Sequence, residues 1–80
     1  MIFIDLPADL NMEDDEGRNV ALLADSSRAD LTAGDVVVAG RAGFWSWSVV
    51  DDVSDGVVRF HQVSAREAAR YGQLVVQLPT

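Results

Sequence analysis

Residues 31–63 read LTAGDVVVAGRAGFWSWSVVDDVSDGVVRFHQV, and this alternation of apolar runs with turn residues decides the fold. The three apolar runs of strand length are residues 36–38, 44–50 and 57–60. Gly40 and Gly43 tolerate the positive φ of a tight turn, and Ser54-Asp55-Gly56 is a strong short hairpin signal. The stretch therefore predicts three consecutive antiparallel strands joined by two short turns.

The last of these hairpins has two registers that the sequence does not separate. A two- or four-residue turn places Asp52 opposite Arg59, whereas a three-residue turn places Asp51 opposite Arg59. Each register gives a cross-strand pair of opposite charge, which is worth about a few tenths of a kcal/mol on an exposed face. The pairing supports the hairpin and leaves the register at 53–58 open.

Side-chain alternation along the middle strand predicts which face is buried. Trp45, Trp47 and Val49 share one face, with serines between them on the other face. The tryptophan face is the expected core, because few other side chains in so short a chain bury as much area. Asp51 continues the same row, and a buried carboxylate is costly, so we expect either a β-bulge that turns it toward water or a barrel rim at this position.

The residues before this stretch predict two further strands. Residues 1–6 alternate in the manner of a short strand, which Pro7 ends or confines to a sheet edge. Residues 18–24 fit either a strand or a short helix, and the preceding Gly17 with the brevity of the apolar run favours a strand. Its inward side chains would be Val20, Leu22 and Ala24.

The C-terminal residues predict a helix followed by a closing strand. Ser64-Ala65-Arg66-Glu67 is a capping box, flanked by Val63 and Ala68 at the positions of a hydrophobic staple. The helix is expected to run to about Tyr71 and to end at Gly72. Residues 74–78 then form a strand, which we expect to pair with the first strand and so protect both edges.

Length and composition predict a single domain over residues 1–80 without a cofactor. A chain of 80 residues buries only a little over about 60% of the surface that its unfolded form exposes, so the core must be small. It has no cysteine, which excludes disulfides and thiolate metal sites and fits a reducing compartment. No membrane segment or secretory signal is recognisable, so we expect a cytoplasmic protein. All six cations are arginine, a bias typical of a GC-rich, bacterial genome.

The net charge of −7 restricts the partners. It disfavours nucleic acid and anionic lipid and favours a cationic protein surface. The expected function is therefore a non-enzymatic protein-protein interaction module that uses the acidic loop, residues 9–17. The candidate binding residues are Glu13, Asp14, Asp15, Glu16 and Trp45, the last because tryptophan is frequent among interface hot spots.

The acidic loop does not match a calcium loop. Asp9, Asn11 and Glu13 have the spacing of the first three ligands. The sixth position, where glycine is required, is Asp14, and the twelfth, where a bidentate glutamate is required, is Val20. We therefore expect a solvated loop without metal.

Two alternative functions depend on other residues. A nucleic-acid-associated barrel would need its arginines on one face, and the residues concerned are Arg18, Arg28, Arg41 and Arg59. A small hydrolase would need the single histidine, His61, beside a serine and an aspartate, yet the sequence has no nucleophile-elbow pattern. Asp51 and Asp52 are neighbours on a strand and point to opposite faces, so they are not a catalytic pair. Self-association through an edge strand stays open.

The order of these features resembles the SH3-like small barrels. Residues 21–25, ALLAD, lie near the position of that fold's Ala-Leu motif, and residues 31–35, LTAGD, resemble its Leu-x-x-Gly-Asp/Glu turn. Trp45 and Trp47 follow where the aromatic strand comes. The resemblance implies a mainly β fold, a five- to six-stranded antiparallel barrel with one short C-terminal helix. Ser46 separates the two tryptophans and the tyrosines of the peptide groove are missing, which argues against recognition of proline motifs.

Overall fold

The structure is a computed structural model that describes the backbone of residues 3–77 and the side chains of residues 3–71. Five strands and one helix follow each other along the chain, with a single 3-10 turn at Leu23–Asp25. They are β1 (Leu6–Pro7), β2 (Asn19–Leu22), β3 (Val36–Arg41), β4 (Phe44–Ser54), β5 (Val57–Gln62) and α1 (Ala65–Gln77). In the part that the structure describes, no helix is long and apolar enough to cross a membrane.

The strands form one curled sheet, an open half-barrel in the order β1-β3-β4-β5-β2. The mainly β prediction is confirmed, but the sheet is mixed and not antiparallel throughout, because β1 runs parallel to β3. Leu6 is fully buried, and the edge position predicted for Pro7 is confirmed. The predicted first strand is much shorter than expected, and its residues Met1 and Ile2 lie outside the described part.

The predicted meander of β3, β4 and β5 is confirmed. Its second turn has two residues, Asp55 with φ 53° and Gly56 with φ 76°, and these values are those of the type I′ turn that suits a two-residue hairpin. The turn settles the register, so that Asp52 is paired with Arg59 and their side chains lie 3.3 Å apart.

The predicted bulge at Asp51 is also present. The pairing of β4 with β5 passes from Val50 opposite Phe60 to Asp52 opposite Arg59, which leaves Asp51 as the extra residue. The extra residue shifts by one position which residues of β4 face the core. Val50 and Val53 both face the main core on either side of it, whereas Asp52 faces its ion-pair partner.

The core is on the opposite side of the sheet from the one predicted. The inner face of the curl holds the main cluster, formed by Leu6, Leu10, Leu31, Val37, Ala39, Val50, Val58 and Phe60. Trp47 belongs to a smaller cluster on the outer face, packed with Val49, Val63 and Ala68 of the helix side, and Trp45 is 38% exposed. The prediction that both indoles fill the core is wrong, because the sheet curls around its other face, where Phe60 and aliphatic side chains form the main cluster. Ser48, expected on the wet face, is fully buried.

Strand β2 is confirmed, but the prediction of which of its side chains face inward is wrong. Leu22 was expected inward and is 57% exposed, while Ala21 packs against the main cluster and Asn19 is buried. Asn19 is accommodated because its amide group finds three partners. It donates to the carbonyls of Leu10 and Met12 at 2.9 and 3.1 Å, and its Oδ1 accepts from Gln62 at 3.2 Å.

The helix begins as predicted and ends later. The Ser64 hydroxyl accepts the Glu67 amide at 3.1 Å, and Glu67 accepts the Ser64 amide at 3.2 Å. The chain then stays helical through Gly72 to Gln77, so the predicted closing strand is wrong; its last residue, Leu78, lies outside the described part. Extension of a formed helix adds one hydrogen bond per residue, which outweighs the cost of about 1 kcal/mol for an internal glycine.

Candidate functional site: a groove along the open seam

The two edge strands of the half-barrel, β1 and β2, face each other across an open seam. At one end the Ser27 amide donates to the Asp5 carbonyl at 2.8 Å. At the other end the buried side chain of Asn19 holds the carbonyls of Leu10 and Met12. These hydrogen bonds fix the width of the seam at both ends and leave its middle without backbone pairing between β1 and β2.

The middle of the seam is an apolar groove of about 330 Å³, here called the seam groove. It is lined by Pro7, Ala8, Asp9, Met12, Val20, Ala21, Leu22, Asp25 and Val57. Met12 is 56% exposed and Leu22 is 57% exposed, although both are large and apolar. A volume near 300 Å³ lies at the lower end of the range for small-ligand pockets, so the groove is large enough for one bulky side chain of a partner.

A second apolar groove, here called the turn groove, lies beside the first. Its volume is about 470 Å³, and its lining is Leu22, Leu23, Ala24, Ser26, Ala29 and Gly56. Leu22 lines both grooves and so separates them. The exposed leucine is thus the shared wall of a continuous apolar surface that follows the chain from β2 into the 3-10 turn.

Two carboxylates, Asp9 and Asp25, lie in the lining of the seam groove. The Asp9 carboxylate accepts the Asn11 amide at 2.9 Å, which shapes the start of the acidic loop. Among the described residues, the ion pairs of the chain involve other carboxylates and leave these two without a cation. The groove therefore combines apolar walls with negative charge that is available to a ligand.

The acidic loop is organised by Asp14. Its Oδ1 accepts the amides of Glu16 and Arg18, both at 2.9 Å, and its Oδ2 lies 3.4 Å from Arg18 Nε and 3.7 Å from Arg59 Nε. The hydrogen bond from the Arg18 amide is the main reason that the pKa of Asp14 lies below its ordinary value, and the two guanidinium groups add to it. Asp14 is thus committed to structure and is not a free surface charge.

The other acidic residues predicted as a binding surface are all exposed but do not act as one cluster. Glu16 lies 2.7 Å from Arg18, Glu13 forms an isolated bridge to Asn19 through its backbone, and Asp15 lies in the turn. Their carboxylates are on the loop that carries Met12 into the seam groove. The sequence did not predict that Met12, Leu22, Asp9 and Asp25 lie in one site, because these residues become neighbours only when the sheet curls.

Trp45, the remaining predicted binding residue, lies on the outer face. Its ring packs edge to face on Trp47, with 5.9 Å between the centroids and 84° between the planes. It lines neither the seam groove nor the turn groove. The structure therefore does not join Trp45 to the acidic loop as one site.

Three of the four arginines of the nucleic-acid alternative have carboxylate partners in the described part of the chain. Arg18 and Arg59 share the Asp14 carboxylate, and Arg28 pairs with Asp35 at 3.5 Å. Arg28 also donates to the carbonyl of Val36 at the start of β3, whereas Arg41 ends that strand. Arg28 and Arg41 are thus separated by the length of this strand, roughly 17 Å, and the nucleic-acid alternative stays a prediction.

His61 has a carboxylate partner that sequence spacing alone did not reveal. Its Nδ1 lies 2.8 Å from Asp51 Oδ1, because the bulge directs Asp51 toward β5. The grooves described above are not lined by His61, and no serine hydroxyl is hydrogen-bonded to it among the described side chains. Within residues 3–77, no group of three or more His, Asp or Glu side chains is placed to hold a metal ion.

Comparisons with protein-family models, with curated proteins and with solved structures find no significant match.

Proposed function

We propose that this protein is a protein-interaction module that binds a basic, apolar segment of a partner in the seam groove. The observation that carries the proposal is the exposure of Met12 and Leu22 in an apolar groove that also contains two carboxylates, Asp9 and Asp25, without an ion pair among the described residues. Exposed apolar surface costs free energy in water and is common at protein-binding sites. The carboxylates select the sign of the partner's charge more than they add affinity.

The acidic loop has a supporting role in this proposal. Its exposed residues Glu13, Asp15 and Glu16 add negative potential beside the groove, which accelerates the encounter with a cationic partner. Asp14 holds the loop in place through its contacts with Arg18 and Arg59. In this proposal the protein binds its partner and catalyses no reaction. Its location in the cytoplasm stays a prediction.

We also propose that the half-barrel is a variant of the SH3-like fold. The curled five-stranded sheet supports this assignment, as do the LTAGD turn before β3 and the aromatic residues at the start of β4. The parallel edge strand β1 and the open seam are its departures from that fold. An experimental structure would contradict this variant if it showed β1 paired with β2, so that the barrel is closed, and no helix α1.

The binding proposal is tested with three peptides of twelve residues. The first contains two leucines and four arginines in an otherwise polar sequence, the second has serine in place of leucine, and the third has glutamate in place of arginine. Titration into the ¹⁵N-labelled protein should give saturable shifts only with the first peptide, at amides of residues 8–12 and 20–25. Absence of binding by the first peptide, or equal binding by the second, overturns the proposal.

Protein variants give the matched controls. Asp9→Asn with Asp25→Asn removes both groove charges, and Asp51→Asn with Glu67→Gln removes two charges at positions that neither line nor adjoin the two grooves. The first pair should weaken binding about fivefold, since each exposed ion pair contributes about 0.5 kcal/mol, and the second pair should change it little. Leu22→Thr should weaken binding more than Phe44→Thr, which removes an apolar side chain that is 47% exposed on another strand. Equal effects within either comparison would place the binding surface elsewhere.

A further inference from the structure

We infer that the partner segment is an amphipathic helix that places one apolar side chain in the seam groove and a second in the turn groove. This inference rests on the proposed function and defines the occupant of the same site. It depends on three observations: the two grooves share one wall, the free edge of β2 is short, and the charged residues lie at one groove only.

The shared wall fixes the spacing of the two side chains. The seam groove is lined by residues 20–22 and the turn groove by residues 22–24, with Leu22 between them. On this side the two linings are centred on positions 21 and 23, and two residues extend over at most about 7 Å. Side chains at positions i and i+4 of a helix are about 5 to 6 Å apart and fit this limit, one on each side of Leu22.

The short free edge disfavours an added strand. Leu23 donates its amide to the Gly56 carbonyl at 2.9 Å, so alternation points the Leu22 amide away from β5, toward the open edge. The acidic loop covers the start of β2, because Asp14 donates to the Arg18 carbonyl and Glu13 bridges to Asn19. The 3-10 turn begins at Leu23. Only one or two backbone hydrogen bonds are left for a partner strand.

A partner in extended conformation would therefore lie on apolar walls with most of its own amides and carbonyls unpaired there. A helix satisfies its backbone internally and needs only side-chain contacts, which is how helices bind in apolar grooves. The position of the charges sets its direction of approach. Asp9 and Asp25 line the seam groove and the turn groove contains no charged residue, so the basic residues should flank the leucine that enters the seam groove.

The test uses two helix-forming peptides of one composition, each with two leucines and with two arginines beside the first leucine. One has the leucines at i and i+4, on the same helix face, and the other has them at i and i+2, on different faces. The i,i+4 peptide should bind at least about tenfold more tightly, as expected for the burial of one additional leucine side chain. If the two peptides bind with equal affinity, the inference that the partner segment is a helix is wrong, while the proposed function stays in place.

Substitutions at two exposed positions distinguish the contributions of the two grooves. Met12→Gln changes the seam groove only, and Ala29→Leu fills the turn groove only. Each variant should weaken the i,i+4 peptide, whereas Ala42→Leu in the turn between β3 and β4 should not. Replacing the first leucine by alanine should remove the sensitivity to Met12→Gln, and replacing the second should remove the sensitivity to Ala29→Leu.

The outcomes distinguish the two proposals. If Ala29→Leu has no effect while Met12→Gln and the aspartate variants weaken binding, a single groove is used and the two-groove inference is wrong. If neither peptide binds, the proposed function and the inference fail together. If the protein itself forms dimers that Leu22→Thr dissociates, the occupant is a second copy of this chain and the inference is also wrong.

Discussion

Asp14 and Arg59 are in contact across the molecule, with 3.7 Å between Oδ2 of the carboxylate and Nε of the guanidinium, although one lies in the acidic loop and the other on strand β5. The same carboxylate lies 3.4 Å from Arg18. Because the loop also carries Met12, this contact helps to set the position of one wall of the seam groove. The most acidic part of the chain is thus held to the sheet by its own arginines.

The first prediction concerns the pH dependence of this contact. The pKa of Asp14 is lowered from 3.8 by the folded environment, so its contribution to stability is fully present above pH 3.8 and is lost as pH falls through the lowered pKa. Asp14→Asn should therefore unfold at lower urea than the wild type at pH 7, and the difference should shrink as the pH falls below about 3.8. Asp15→Asn, at an exposed turn position, is the control and should show no such convergence. A difference that is constant from pH 7 to pH 2 would contradict the prediction.

The second prediction concerns Gly40, which has φ +124° and lies opposite Trp45 in the β3 and β4 pair. A Cβ atom at this position would lie 2.8 Å from the backbone Cα of Trp45 and in still closer conflict with the Phe44 carbonyl. Gly40→Ala should destabilise the protein by about 3 kcal/mol or more in urea denaturation, from backbone strain and overpacking together.

Gly43→Ala is its matched control. Gly43 also has positive φ, +85°, but nothing lies within 4 Å of the added atom. It should cost only the backbone term of about 1 to 2 kcal/mol. Equal costs for the two variants would show that strands β3 and β4 do not approach each other as closely as described.

The sequence was sufficient to predict the elements that depend on local chemistry. The hairpin signal Ser54-Asp55-Gly56, the capping box of Ser64 and Glu67 and the bulge at Asp51 all depend on residues close in the chain, whereas the length of the hairpin turn is known only from the structure. The buried face was not predictable in the same way. Alternation along β4 favours the tryptophan face, because Ser46 and Ser48 lie on the other one, but the sheet curls around the serine face and Phe60 is buried where the tryptophans were expected.

Of the candidate site, the sequence predicted only the negative charge and not the apolar groove. The acidic loop is recognisable from the run of residues 13–16, but the apolar groove joins Pro7, Met12, Leu22 and Val57, which no local pattern connects. Leu22 was not considered as a surface residue, because the alternation along β2 predicted that its side chain faces inward. Asn19 was the available signal: a polar residue at that end of the strand is buried only if its neighbours supply partners, and those partners are the loop carbonyls beside the groove.

The third prediction tests the placement of the two tryptophans. Trp45 is 38% exposed and Trp47 is partly covered by helix α1, so the two indoles should differ in solvent access. In Trp47→Phe the remaining indole should emit at longer wavelength and be quenched more strongly by acrylamide than in Trp45→Phe. Both single-tryptophan variants should stay folded by circular dichroism. Equally weak quenching of the two indoles would show that both rings are buried and that the main core has been assigned to the wrong face.

The fourth prediction concerns the cap of helix α1, whose Ala68 packs on Val49 and Val63 to cover the outer face of the sheet. The Ser64 hydroxyl accepts the Glu67 amide at 3.1 Å, so Ser64→Ala leaves that amide without its partner and should cost about 1 kcal/mol in urea denaturation, with lower ellipticity at 222 nm. Ser64→Asp, which restores an acceptor at the same position, should recover most of the loss. If Ser64→Ala unfolds at the urea concentration of the wild type, or Ser64→Asp is no better than alanine, the capping box does not hold the helix on the sheet.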